Sequence, residues 1–262
     1  MTNNKSQVWE IEQINKIAVF LKLLYTDLKN SAKTPMAAQK LKMAGLDYVY
    51  WEAVKDLIPE KESVLVFTKG GYVKRTDPSE YRSQKRGGVG VIDLETKEED
   101  FVTMLLTANT HDDLLFFTNL GRAYQIKMFD IPEGRRATKG KSIMNFLQLA
   151  DNESVTSILP VPKGNEVKDQ SLFFVTKQGV IKKVAADSFS TVRRSGLIAI
   201  NLREGDTLLG AMLTAADDTV MLVTADGQSI RFKASQVRDM GRTATGVKGM
   251  ELDKADTIRS EE

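Results

Sequence analysis

Four times along this 262-residue chain an apolar run ends in Thr-x-x-Gly, and that recurrence restricts the fold more than any other feature. The runs are Val64 to Thr68, Leu114 to Thr118, Leu172 to Thr176 and Val220 to Thr224, and the glycines that follow are Gly71, Gly121, Gly179 and Gly227. Glycine tolerates the positive φ of a tight hairpin, so each copy reads as two antiparallel strands joined by a short turn. Successive glycines lie 50, 58 and 48 residues apart, and the long interval holds a polar loop, Lys163 to Gln170. Fifteen residues after each glycine stands an arginine: Arg86, Arg136, Arg194 and Arg242. Four residues later come Gly90, Gly140 and Gly246, with Ile198 as the exception.

A repeat near 50 residues built of short strands has the size of a propeller blade, and one such sheet needs neighbours to bury both faces. The expected fold is mainly β, a propeller-like array of about four blades over residues 60–109, 110–162, 171–215 and 216–262. In the first three copies a further apolar strand follows: Phe101 to Leu106, Val155 to Val161, Leu208 to Leu213. The fourth reaches Asp256, Thr257 and Ile258 before its final Arg-Ser-Glu-Glu, so the array reads as incomplete.

Residues 1–59 have a different texture, with eight Lys and no Arg, whereas all thirteen Arg lie beyond. Ile11, Ile14, Ala18, Leu21, Tyr25 and Leu28 recur at helical spacing, and Thr34-Pro35 reads as the start of a second helix ended by Gly45. A third short helical stretch runs from Asp47 to Leu57. The expectation is a small α-helical N-terminal segment of unknown role.

The absence of cysteine excludes disulfides, thiolate metal sites and a Cys nucleophile, and the single His111 excludes poly-His sites. No cofactor or metal is expected, and His111 reads as a turn residue. No segment approaches a membrane span, and the N-terminus lacks the pattern of a signal peptide, so a cytoplasmic location is the default.

The net charge is +2, and residues 60–262 hold 29 basic and 29 acidic residues, so only position within the repeat can create a basic surface. Matched arginines would place cations at one location on each blade. Neighbours extend the set: Lys74 and Arg75, Lys85 beside Arg86, Arg135 with Lys139 and Lys141, Lys182 and Lys183, Arg193, Arg231 with Lys233, and Lys248 near Arg242. Such an array suits a phosphate backbone, because each neutralised phosphate releases counterions. The densest site is Gln84-Lys85-Arg86-Gly87-Gly88-Val89-Gly90, whose glycines allow close backbone approach while Lys85 and Arg86 supply charge. The spacing of a nucleotide P-loop is absent.

At these residues the sequence resembles the C-terminal DNA-wrapping domains of the DNA gyrase A proteins. QKRGGVG matches five of the seven positions of that family's QRRGGKG box, with Val89 replacing a cation. The segments DLIPEKESVLVFTKGGYVKR (56–75), LLTANTHDDLLFFTNLGRAY (105–124), IPEGRRATKGK (131–141) and TATGVKGM (243–250) are similar as well. The resemblance implies a β-pinwheel whose blades exchange strands and whose rim bends duplex DNA without base specificity, supporting negative supercoiling. It also implies other topoisomerase subunits as partners and a nucleoid-associated location. The breakage–reunion tyrosine region is missing, so no catalysis is expected from this chain alone, although the family works within an ATP-dependent topoisomerase. The related domain of topoisomerase IV, which normally lacks the intact box, and a propeller that docks proteins remain as alternatives.

Overall fold

The computed structural model describes residues 58–81, 86, 100–162, 170–192 and 195–259. The helices expected before residue 58 and most of the polar loop, 163–169, lie outside them. Residues from Glu60 onward belong to one unit, Glu60–Glu262.

Fourteen strands are present among the described residues: β1 (Glu62–Thr68), β2 (Tyr72–Thr76), β3 (Val102–Asn109), β4 (Asp113–Thr118), β5 (Arg122–Lys127), β6 (Lys141–Ser142) and β7 (Val155–Val161). The chain continues through β8 (Ser171–Thr176), β9 (Val180–Ala185), β10 (Leu197–Ile198), β11 (Leu208–Thr214), β12 (Thr219–Val223), β13 (Ser229–Lys233) and β14 (Val247–Lys248). They form four antiparallel sheets, ordered β3-β1-β2-β6, β10-β5-β4-β7, β11-β8-β9-β14 and β12-β13. The outer strand of each of the first three sheets comes from the following repeat. Lys141–Ser142 pairs with Tyr72–Val73, Leu197–Ile198 with Arg122–Ala123, and Val247–Lys248 with Val180–Ile181. Strand exchange of this kind is what the pinwheel resemblance implies.

The central strands carry unbroken apolar runs because each is covered on both faces. Leu114 and Phe116 join Leu65 and Phe67 of the preceding sheet in one core, while Leu115 and Phe117 join Leu172 and Phe174 of the next. Phe173 and Val175 then meet Val220 and Leu222 in a third core. Full burial of each such side chain contributes about 1.5–3 kcal/mol, so the stack is held mainly by contacts between neighbours. β12 alternates instead, with Val220 and Leu222 buried but Met221 and Val223 exposed. No described sheet covers its other face. Among the described residues the fourth copy gains a third strand only as a single bridge, Thr224 to Ile258.

All four turns have one geometry. Gly71, Gly121, Gly179 and Gly227 adopt φ of 75°, 72°, 76° and 88°. Each donates its N–H to the threonine carbonyl, at 2.9, 2.9, 3.1 and 3.1 Å. The threonine hydroxyl also accepts from the backbone four residues on, at 3.2 Å from Tyr72, 3.4 Å from Arg122, 3.1 Å from Val180 and 3.2 Å from Gln228. Threonine is thus selected by a hydrogen bond as well as by strand propensity.

Ile198 does not replace a glycine; it lies in the exchanged strand opposite Arg122, as Ser142 lies opposite Tyr72. The glycine that precedes that strand is Gly140, Gly196 or Gly246, all at positive φ. The third copy is shorter before its glycine, so the position four residues ahead holds Val192 where the second and fourth copies hold Arg136 and Arg242.

Candidate nucleic-acid interface

The exchanged strands and the segments just before them carry the clustered cations. In the second repeat Arg135, Lys139 and Lys141 are exposed and Arg136 is half-buried; in the fourth, Arg242 and Lys248 are exposed. Arg231 and Lys233 are exposed on β13. Several are tethered. The Lys139 ammonium lies 3.8 Å from the centre of the Tyr72 ring, Lys248 pairs with Glu251 at 3.1 Å, and Arg242 donates one guanidinium N–H to the Ser188 carbonyl at 3.0 Å. A guanidinium has five donors, so Arg242 keeps others for a phosphate. Arg86 is exposed, whereas Gln84, Lys85, Gly87, Gly88, Gly90, Arg193 and Arg194 lie outside the described residues.

Lys74 and Arg75 do not belong with these cations, nor do Lys182 and Lys183. All four are buried, with Lys74 only 1% and Lys182 0% exposed. Their sequence neighbourhood looks like a basic surface, but β2 and β9 are covered on both faces, and the charges are used inside. Arg75 pairs with Glu133 at 3.6 Å and donates to the Ile131 carbonyl at 3.3 Å. Lys183 pairs with Asp239 at 3.5 Å. Both acids come from the following repeat, and both pairs coincide with short parallel bridges, Arg75 to Glu133 and Lys183 to Asp239. Burial lowers the Arg75 pKa, partly opposed by Glu133.

The lysines at the preceding position reach further. The Lys74 amine donates to the carbonyl of Arg136. The Lys182 amine donates to the Ala199 carbonyl at 2.7 Å and to the carbonyl of Arg242. Burial, reinforced by the charge of Arg242, pushes Lys182 down to about 8. Asn201 donates its side-chain amide to the Thr243 carbonyl at 2.6 Å and its backbone N–H to the Ala244 carbonyl at 3.4 Å. Three consecutive carbonyls of the fourth repeat, those of Arg242, Thr243 and Ala244, therefore turn inward against the third.

Sequence reading missed a second periodic set, the carboxylates that brace the turns. Thr68 donates to Asp100 at 3.0 Å, and the Gly70 N–H to the same carboxylate at 2.8 Å. Thr118 donates to Glu153 at 2.6 Å, Gln178 N–H to Asp206 at 2.9 Å, and Asp226 N–H to Asp256 at 3.2 Å. The Thr224 hydroxyl, ahead of three backbone donors, holds the Asp256 carboxyl below its ordinary range. A left-handed residue precedes three of these acids: Asn152, Gly205 and Ala255, at φ of 62°, 71° and 73°. The signal was present as Glu-Ser-Val (153–155), Asp-Thr-Leu (206–208) and Asp-Thr-Ile (256–258). These acids sit at the turns and belong to the scaffold.

His111 is buried edge-on against Phe129, 5.7 Å between ring centres, so packing accounts for it. Among the described residues no cluster of three or more acidic or histidine side chains could hold a metal ion, and no helix is long and apolar enough to cross a membrane.

A family model of the DNA gyrase C-terminal domain, a beta-propeller, matches residues 62–109, 112–162, 170–215 and 218–260. The DNA gyrase A protein of Halalkalibacterium halodurans is 49% identical over 196 residues, which are 75% of this chain and 23% of that protein. The chain thus spans about a quarter of the length of the gyrase A proteins it matches. Among solved structures, the C-terminal domain of a DNA topoisomerase IV superposes with a TM-score of 0.64 at 31% identity, covering 78% of this chain and 61% of that one. A DNA gyrase A C-terminal domain gives 0.61 at 27% identity, covering 76% and 64%.

Proposed function

Since this chain belongs to the DNA gyrase C-terminal domain family, we propose that it binds duplex DNA through phosphates and bends it along the exchange segments, without reading bases. The observation that carries this reading is the repeated placement of Arg136 and Arg242. Each lies just before a strand donated to the preceding sheet, in a segment with exposed cations and with its own carbonyl held from within. Lys85 and Arg86, with the glycines of their box, supply the first site, and Arg193 and Arg194 the third. Val89 removes one cation from the box, which weakens that site without abolishing it.

Bending 20–30 bp of duplex by 40–90° costs about 1–6 kcal/mol, so several contacts spread over successive repeats must act together. In the context of other topoisomerase subunits, such bending supports negative supercoiling and places the protein on the nucleoid.

Salt dependence tests the assignment. Affinity for a random-sequence duplex should fall steeply with salt, and the Lys85→Ala/Arg86→Ala and Arg135→Ala/Arg136→Ala pairs should each shallow the log–log slope by about 2. The loss should be similar for unrelated duplex sequences. An unchanged slope in both pairs refutes the phosphate contacts.

A further inference from the structure

Lys74 and Lys182 stand at equivalent places, three residues after the turn glycines Gly71 and Gly179. A buried ammonium is a costly choice there, since taking a charge out of water carries a large desolvation penalty. The second repeat shows that the scaffold works without it. Tyr124 occupies that place, and the hold on the next segment passes to Arg122, which donates to the Ser195 carbonyl at 2.9 Å, and to Gln125, which accepts from the Val192 N–H at 3.1 Å. The lysine accompanies the two repeats whose successor has an arginine four residues before the exchange glycine. In both, the acceptor is the main-chain carbonyl of that arginine.

We propose that Lys182, and Lys74 in the first repeat, are positioning residues for DNA binding: each fixes the backbone of the next repeat's arginine, Arg242 or Arg136, so that its guanidinium projects outward. The inference rests on the phosphate-binding reading above. Anchoring at the carbonyl determines where the Cα–Cβ bond points, and the guanidinium donors of Arg242 beyond the one held by the Ser188 carbonyl stay available to a phosphate. The Lys182 ammonium is fully enclosed, with two donors on the Ala199 and Arg242 carbonyls and the Phe174 ring centre 5.9 Å away. With Asn201 holding the next two carbonyls, the segment has little freedom to turn its cation inward.

A double-mutant cycle on the intact chain separates positioning from simple stability. Duplex affinity is measured against salt for wild type, Lys182→Met, Arg242→Ala and the double variant, with urea midpoints recorded in parallel. One lost phosphate contact corresponds to about an eightfold loss at 0.1 M salt and a slope shallower by about 0.9. Arg242→Ala should show that loss, Lys182→Met should match it in both affinity and slope, and the double variant should lose no more than either. Lys182→Met binding like wild type, or fully additive losses, overturns positioning while leaving the phosphate reading intact. If Arg242→Ala binds like wild type, Arg242 makes no phosphate contact and positioning at this joint is overturned with it, leaving the phosphate reading to stand or fall on the Lys85/Arg86 and Arg135/Arg136 pairs. A wild-type chain with no salt-dependent duplex binding overturns the phosphate reading itself. The parallel cycle with Lys74→Met and Arg136→Ala provides an independent readout should Lys182→Met fail to fold.

Discussion

Gly140→Val should destabilise the array by about 3–5 kcal/mol and release the second repeat's exchanged strand from the first sheet. Gly140 sits at φ +83°, and a Cβ added there would lie 2.5 Å from the Val73 carbonyl oxygen and 2.9 Å from its carbon. The left-handed conformation alone costs a non-glycine residue about 1–2 kcal/mol. The steric overlap adds more, because its partner is backbone and cannot swing aside. Relief requires Lys141–Ser142 to leave Tyr72–Val73, which opens the edge of β2 and detaches the segment carrying Arg135, Arg136 and Lys139. Gly227→Ala is the matched control, since Gly227 has φ +88° and no atom within 4 Å of an added Cβ. It should cost only that conformational share, about 1–2 kcal/mol. Urea midpoints of the two variants separate the conformational from the steric contribution. Gly140→Val should also lose duplex affinity, whereas Gly227→Ala should retain it.

Removing the Glu153 carboxylate should cost a similar amount, about 3–5 kcal/mol, through stranded donors rather than overlap. Glu153 accepts from the Thr118 hydroxyl at 2.6 Å, the Ala150 N–H at 2.8 Å and the Tyr124 hydroxyl at 2.9 Å. In Glu153→Ala these donors stay in the interior without that acceptor. Glu153→Gln should recover only part of the loss, because its amide nitrogen would face groups that themselves donate. Tyr124 supplies an independent readout. Burial, followed by the hydrogen bond and charge of Glu153, raises its pKa above that of an ordinary tyrosine. In the Ala variant the phenol should ionise at lower pH, seen as one tyrosine moving down in the ultraviolet titration.

The sheet-forming half of this architecture was legible in sequence because threonine, glycine and apolar runs recur at nearly constant spacing. The hairpin strands, their turns and the third strand of each of the first three copies lie where that spacing puts them. Burial direction was less legible. Lys74, Arg75, Lys182 and Lys183 looked like surface cations because local sequence does not show that a donated strand from the next repeat covers their edge. Strand exchange is a contact between residues about 70 apart, such as Tyr72 with Ser142, and no local pattern encodes it. The Ile198 exception had the same origin, since counting from the turn hid a shorter third copy that the exchange geometry realigns through Gly196. The bracing acids were missed because their distance from the threonine varies, from 30 residues for Asp206 to 35 for Glu153. Alignment on Asp/Glu-Ser/Thr-aliphatic would have found three of them.

These features divide the charges by function: acids at the turn braces, one set of cations inside the exchange joints, and another on the segments those joints hold in place. If the second set bends duplex DNA along successive repeats, as proposed, DNA topology reads it directly. Relaxed closed-circular DNA is incubated with the intact chain, treated with a relaxing topoisomerase while still bound, deproteinised and resolved by gel. Wrapping with a defined hand predicts a shift of the topoisomer distribution that grows with protein-to-DNA ratio and shrinks with salt and in Arg135→Ala/Arg136→Ala. A distribution identical to that of naked DNA, under conditions where the duplex is fully bound, would contradict it.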